Sequence, residues 1–355
     1  MQFYSLFPST EMWQSSQYYK KLRLGDLPLL PVIEIIKSMR LKDQINLALS
    51  SKKYAAVCEI ASVKVGWINF HVQDEYTNLD LGESTKLSGN HYLLIYMNEM
   101  RNASVKDVMD VPIFRNCENI ALVKGEIESD DLRLVLDMTK HLKYFRILGS
   151  KVPSDFQHEK AFSIEHIYYE DANWVRLENL LTMRNSTYVT LGTTSLTYSD
   201  FNKFLKFWVN SEVDMFLGLY IKMEENINPQ VLFDGLLWLD SARFIAPVYF
   251  IISDSTIVNR KDPLLLVNHI NGRLVFSAFS RNDDWFDVNE DQNSSTEKKK
   301  YQSEIDALRI LEKQTELRKK MEGIENPEQD DMRRMKELDM RLNGLLAEGK
   351  FTVGE

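Results

Sequence analysis

Six histidines, two cysteines and a few adjacent acids are the side chains of this 355-residue chain that could do metal or covalent chemistry. A metal site needs such residues at spacings that converge on one point, and a nucleophile needs a base within hydrogen-bond reach. The sequence offers neither. His158 and His166 are the closest histidine pair, eight residues apart across a loop-to-strand boundary, and His71, His91, His141 and His269 are isolated. They read as surface or turn residues. Cys58 and Cys117 form no CxxC pair and no disulfide framework, and Cys58 reads as a small core residue of a short helix. Asp283-Asp284 lies in an acidic, polar run that reads as solvated linker. No Gly-rich phosphate loop, HExxH, Gly-x-Ser-x-Gly or EF-hand loop occurs. The expectation is a chain that is not an enzyme, with no catalytic residue, no cofactor and no metal.

Adhesion is the chemistry the sequence does carry. Residues 27–53 hold more apolar side chains than so small a unit can bury. Val32, Ile35, Ile36 and Met39 fall at i, i+3, i+4 and i+7, one helical stripe. Asp43 can cap a second short helix with Ile45, Ala48 and Leu49 as its apolar positions, and a third would carry Tyr54, Val57, Cys58 and Ala61. Ile33 and Leu47 lie off these stripes. A unit of roughly 35 residues seldom hides that much surface alone, so residues 26–62 are expected to be a docking module.

The elements that would present this module to a second surface follow from residue 63 onward. Trp67–Phe70 and Leu93–Tyr96 read as strands. From 118 a template recurs, apolar-x-apolar-x-x-small-x-apolar. Ile120, Leu122, Gly125 and Ile127 fit it, as do Phe145, Ile147, Ser150 and Val152. The same holds for Ile167, Tyr169, Ala172 and Trp174, and for Val189, Leu191, Thr194 and Leu196. The starts are 25, 22 and 22 residues apart, within the leucine-rich-repeat range of about 20–29. Phe216–Ile221 continues the series and Val248–Ile252 is expected to close it. Helical stripes follow most strands: Leu132, Val135 and Leu136; Trp174, Leu177 and Leu181; Phe201, Phe204, Leu205 and Trp208, opened by the capping box Thr197-x-x-Asp200. A fourth, Leu232, Gly235, Leu236 and Leu239, is opened by Asn228-Pro229. Units 118–140 and 187–209 align without a gap at an offset of 69 residues. Trp174 and Trp208 are expected in the repeat core.

Beyond the repeats, Asn271-Gly272 between apolar runs predicts a hairpin, expected to cap the open edge of the sheet. Residues 281–300 read as an acidic, polar linker and 301–355 as a charged helical tail broken near Gly323 and Pro327. Met335, Leu338, Leu342 and Leu345 form an apolar stripe on the tail, suited equally to packing on the domain or to a partner helix. Residues 1–25 read as a partly ordered arm. The predicted fold class is α/β: a short N-terminal helical module, an irregular leucine-rich-repeat-like αβ sheet over 63–280, and a C-terminal helical tail.

Composition narrows the partners. A net charge of −9 argues against non-specific nucleic-acid binding, and no apolar run approaches the ~20 residues of a membrane span. Two distant cysteines fit a reducing compartment, cytoplasmic and/or nuclear.

Two stretches resemble a known family. Leu27-Pro28, Ile35 seven residues past the proline, Ile36, Met39 and the run Leu47-Ala48-Leu49-Ser50-Ser51-Lys52-Lys53 resemble the divergent F-box of a large nematode family. Arg40 and Gln44 stand where that motif has an acidic residue and a leucine. Residues 161–240, with Trp174–Leu181, Tyr188–Leu191, Ser195-Leu196-Thr197 and Asp200–Trp208, resemble the type 2 F-box-associated domain of the same family. The resemblance implies a substrate-recognition adaptor of a Skp/cullin/F-box-type ubiquitin ligase. Leu27, Pro28, Ile35, Ile36, Met39, Leu47 and Leu49 would bind the Skp-type adaptor, and through it a cullin. The repeat-like domain would bind a protein target. The alternative is a protein-interaction scaffold not coupled to ubiquitination.

Overall fold

A computed structural model describes residues 24, 27–39, 43–44, 47, 50, 53–54, 56–57, 67–72, 77–82, 92–99, 104–110, 114, 117–241, 244, 247–257, 260–280, 283–285, 299–322, 328–349 and 351–354. The chain divides into two compact units, Met1–Lys64 and Val65–Glu355.

In the first unit, helix α1 spans Leu29–Ser38, and every described residue from 43 to 57 is helical. Pro31 falls in the first turn, where the missing N–H would have had no intrahelical partner. The buried stripe of α1 is Val32, Ile33 and Ile36, packed with Val57; Leu24, Leu27, Met39 and Leu47 are half-buried around it. This differs from the stripe read by spacing. Ile33 turns inward and Ile35 outward, because Val57 packs against the sector of Val32, Ile33 and Ile36.

The second unit is built on one 13-stranded sheet. Its first strands are β1 (Trp67–Val72), β2 (Thr77–Gly82) and β3 (Tyr92–Tyr96), followed by α2 (Val105–Met109). Then come β4 (Asn119–Glu126), α3 (Ser129–Met138), β5 (Tyr144–Lys151), β6 (His166–Asp171), α4 (Leu177–Leu181), β7 (Ser186–Thr193), α5 (Tyr198–Val209) and β8 (Phe216–Lys222). Strands β3 to β8 are parallel, each laid beside its predecessor.

The ladder sets the repeat template in register. Ile120, Phe145, Ile167, Val189 and Leu219 stand in one row, and Leu122, Ile147, Tyr169, Leu191 and Ile221 in the next but one. All ten side chains are buried. The helices supply the cover: Leu132, Val135 and Leu136 from α3, and Phe201, Phe204, Leu205 and Trp208 from α5. The 69-residue offset holds in space, since α3 and α5 both begin at equivalent positions and bury the equivalent side chains. The α4 turn buries Leu180 rather than the predicted Leu181.

After β8 the topology departs from expectation. The chain continues through α6 (Pro229–Leu232), β9 (Leu239–Ser241), β10 (Val248–Ile252), β11 (Leu264–Ile270) and β12 (Arg273–Phe279). Helix α6 is a single turn, and Leu239 belongs to β9 rather than to the helical stripe. The β11–β12 hairpin forms as predicted, with Asn271 and Gly272 both at positive φ (51 and 69°). It does not cap an edge. β12 pairs antiparallel with β8, while β11 pairs with β10, so the hairpin lies inside the sheet. Strand β10 is likewise antiparallel, between β9 and β11, and does not close the parallel series. A tight turn returns the chain antiparallel, so the hairpin takes the place beside β8 that a further parallel unit would have needed.

In the predicted linker, β13 (Asp284–Trp285) and β14 (Lys299–Lys300) form a two-residue ladder. Helices α7 (Gln302–Met321) and α8 (Gln329–Gly349) follow, then β15 (Phe351–Val353), which pairs with β9 and ends the sheet. The two helices pack on the domain. Ile305, Leu308, Ile310, Leu311 and Leu342 share a core with Leu239, Val248, Phe250, Ile252, Leu264 and Leu266.

Close approach between neighbouring parallel strands has a direct test. A Cβ on Gly192 of β7 would lie 1.9 Å from the Glu170 carbonyl oxygen of β6. Gly192→Ala therefore forces the ladder apart and should lower the denaturation free energy by about 2 kcal/mol or more, read as a reduced urea midpoint at unchanged slope.

Candidate functional site

His158, His166, His269 and Cys117 are occupied with structure. The His158 Nδ1 accepts the Lys160 N–H at 3.2 Å, capping a short 3₁₀ turn, and its Nε2 faces Asp137 Oδ1 at 3.1 Å. His166 stacks on Tyr144, with ring centroids 4.0 Å apart and planes within 5°. Burial holds its pKa below the usual value, against the pull of Glu165. The His269 Nε2 meets the Met223 carbonyl at 2.6 Å. Cys117 is buried, which pushes its thiol up to about 12, so it carries little thiolate at neutral pH. Cys58 lies outside the described residues. Among the described residues no group of three or more His, Cys, Asp or Glu is placed to hold a metal ion, and no helix is long and apolar enough to cross a membrane.

Two surfaces remain. The first is on α1. Leu29, Leu30 and Ile35 are 52, 75 and 37 % exposed, and Pro28 and Pro31 are exposed beside them. Of the residues singled out for docking, Pro28 and Ile35 thus face outward, Leu27, Met39 and Leu47 are half-buried at the module's margin, and Ile36 is fully buried in its core. Leu49 and Arg40 lie outside the described residues. Leu30 and Pro31 add to the exposed apolar patch; the Leu-Pro repetition in the sequence was the signal for them.

Gln44 is buried in the N-terminal unit. Its Nε2 donates to the Ile36 carbonyl at 2.7 Å and to the Met39 carbonyl at 2.8 Å. The buried amide thereby pairs the Met39 carbonyl just past the end of α1 and adds a second donor to the Ile36 carbonyl, which also accepts the Met39 N–H. A leucine in this place would offer no donor.

The second surface is the parallel sheet with its helices. Trp174 and Trp208 are buried in its core, as expected of repeat-core aromatics. Tyr169 is fully buried, packs on Phe145, Phe162 and Trp174, and donates its hydroxyl to the Ala161 carbonyl at 2.7 Å. At the head of α5 the Thr197 hydroxyl accepts the Asp200 N–H, and the Asp200 carboxylate accepts the Thr197 N–H at 3.0 Å. These bonds from Thr197 hold the Asp200 carboxyl below its usual range.

Residues 155–223 match the family model described as F-box associated. The F-box-associated stretch takes in β6, α4, β7, α5 and β8, and ends one residue beyond β8, the last parallel strand. It starts earlier and stops sooner than the 161–240 read from the sequence. Neither the curated proteins nor the solved structures yield a match.

Arg260 is a buried cation that no sequence motif marks. Its side chain is 1 % exposed, faces Asp214 Oδ1 at 3.6 Å, lies 3.7 Å over the Trp208 ring, and donates to the Trp208 carbonyl at 2.6 Å. Burial pushes its pKa down to about 10, opposed by Asp214 and Asp262, so the cation persists at neutral pH. It ties the F-box-associated stretch to the segment entering β11. No local pattern marks such a residue, since its partners are 46 and 52 positions away.

Two outcomes are expected. Gln44→Leu removes both carbonyl partners and should destabilise the N-terminal module by about 2 kcal/mol, seen as faster hydrogen exchange at Ile36 and Met39. Asp200 titrates below the ordinary carboxylate value of about 3.9. Its contribution is complete above that value and is lost as the pH falls through the folded value. The stability gap between wild type and Asp200→Asn should therefore be largest at neutral pH and close in acid, measured by urea denaturation at each pH.

Proposed function

We propose that this chain is a substrate-recognition adaptor of a Skp/cullin/F-box-type ubiquitin ligase. The observation that carries the reading is the match of residues 155–223 to the F-box-associated family. The exposed apolar patch of α1 supports it, because a small helical unit keeps such a patch when a partner covers it. In this reading Pro28 and Ile35 meet the Skp-type adaptor directly, Leu27, Met39 and Leu47 form the margin of the contact, Ile36 holds α1 in shape, and Leu49 is a further adaptor-binding residue. The cullin is reached through the adaptor, in the cytoplasm or nucleus.

The sheet domain, a leucine-rich-repeat-like array in this reading, holds the protein target. Its parallel strands, added one beside the next in chain order, support that description. The mechanism is proximity. The chain raises the effective concentration of the target near a ubiquitin-conjugating enzyme and fixes its orientation, with no catalytic group, cofactor, nucleic acid or membrane involved.

The test separates docking from folding. Ile35→Asp places a charge on the exposed patch and should abolish co-elution of the full chain with the Skp-type adaptor, with its melting temperature unchanged. Ile36→Asp buries an unpaired carboxylate and should unfold the module instead. A wild-type chain that does not co-elute with the adaptor overturns the proposal. Co-elution with the adaptor but exclusion of the cullin favours a scaffold uncoupled from ubiquitination.

A further inference from the structure

The two faces of the sheet are dressed differently. Successive cross-strand partners in register share a face. Leu266 of β11 is opposite Ser277 of β12, then Gly218 of β8, Tyr188 of β7, His166 of β6 and Tyr144 of β5. At the antiparallel end this face is covered by α7 and α8, which pack on Leu264, Leu266 and Phe250. The opposite face is the one on which α5 lies, with Phe201 and Phe204 against Phe276. Over β5 to β8 the first face is open. Tyr188 is 46 % exposed in mid-sheet, and Tyr144, His166, Tyr168, Thr190 and Tyr220 are half-buried.

What lies open there is a rank of rings. Tyr144 and His166 stack at 4.0 Å, His166 and Tyr188 follow at 5.6 Å, and Tyr188 and Tyr220 at 6.2 Å. Gly218 keeps the rank continuous, since a Cβ there would meet the Tyr188 and Tyr220 rings, each at 2.9 Å.

Charge on this face runs against the charge of the chain. The net charge is −9, yet the face carries Arg146 on β5, Lys222 on β8 and Arg273 on β12, all exposed. Lys222 and Arg273 are cross-strand partners, a like-charged pair that the exposed Glu224, 4.0 Å from the Lys222 Nζ, offsets only on the Lys222 side. Arg146 and Arg273 have no ion-pair partner among the described residues. Three carboxylates meet this face: Glu165 lies 3.4 Å from the His166 Nε2, Glu224 lies 4.0 Å from the Lys222 Nζ, and Glu170 is engaged by the Gly149 N–H at 2.6 Å.

We propose that this ring-floored face binds an acidic, extended segment of a partner protein. Apolar or proline side chains of the segment lie on the Tyr144–His166–Tyr188–Tyr220 rank, and carboxylates meet Arg146 at one end and Lys222 with Arg273 at the other. Arg146 and the second cation pair are three to four strand spacings apart and two residues along the strands. The separation is about 16–20 Å, or five to six residues of extended chain. The inference rests on the proposed reading of the sheet domain as the target-binding part, and names the class of target.

Random peptides of about twelve residues, selected on the immobilised full chain, test it. Enriched peptides should carry Asp or Glu pairs about five or six residues apart, with apolar residues between. They should lose about tenfold or more in affinity on Arg146→Glu and on Tyr188→Ala, and weaken with salt. Both side chains are exposed, and unchanged melting temperatures verify that the variants fold. Enrichment of basic or charge-indifferent peptides, no enrichment at all, or equal binding to Arg146→Glu overturns the proposal. Adaptor co-elution of the same samples separates the two readings. Acid-selective peptide binding without adaptor binding leaves this face standing and the ligase reading fallen; adaptor binding without acid-selective peptides does the reverse.

Discussion

The register of the parallel ladder is the constraint on which the rest of the second unit depends. Because side chains alternate with a period of two, fixing Leu122 opposite Ile147, Tyr169, Leu191 and Ile221 fixes everything else on both faces. The buried rows receive α3 and α5. The intervening positions, Tyr144, His166, Tyr188 and Tyr220 among them, are turned to the other side and become a surface. A slip of one residue would exchange the two sets and bury rings and cations where aliphatics belong. The same hydrophobic demand that stabilises the fold therefore also lays out the surface that a partner would meet.

The antiparallel end solves a different problem. An array of parallel strands leaves an open edge, and each added strand moves that edge outward. Here the hairpin β11–β12 covers β8, β10 and β9 follow, and the three-residue β15 ends the series. The C-terminal helices then cover one face of that end, burying Ile305, Leu308 and Leu311 on strands whose own residues are apolar on both sides. Arg260 locks the junction. Its guanidinium lies on Trp208 of α5, faces Asp214 and donates to the backbone of α5. Removing one member of so buried an arrangement leaves the others without a partner.

In the N-terminal unit the neighbours Ile35 and Ile36 take opposite parts. Ile36 is sealed in the core with Val32, Ile33 and Val57, while Ile35 joins Leu30 and Pro31 outside. Gln44 closes the end of α1 from within. The helix is thus held by its own module and keeps an apolar surface that the module does not use.

Sequence alone determined the elements whose signals are local or periodic. The strands from β4 to β8, the mutual register of β4 to β7, the α3 and α5 stripes, the Thr197–Asp200 capping box and the Asn271-Gly272 turn all follow from spacing, because backbone geometry translates those spacings directly into faces and turns. Only the tertiary structure decided the remainder. Val248–Ile252 reads as another strand of the series, but which neighbour it pairs with, and in which direction, depends on the hairpin formed later in the chain. The tail's Leu338, Leu342 and Leu345 show an apolar stripe, but what that stripe faces depends on strands about a hundred residues earlier. The choice between Ile33 and Ile35 as the inward side chain was set by where Val57 and its neighbours lie. Arg146 and Arg273 look like ordinary surface charges in sequence, and only the folded ladder brings them to the two ends of one row of rings. Periodicity is written along the chain, whereas partnership between distant segments is settled by how the buried surfaces fit together.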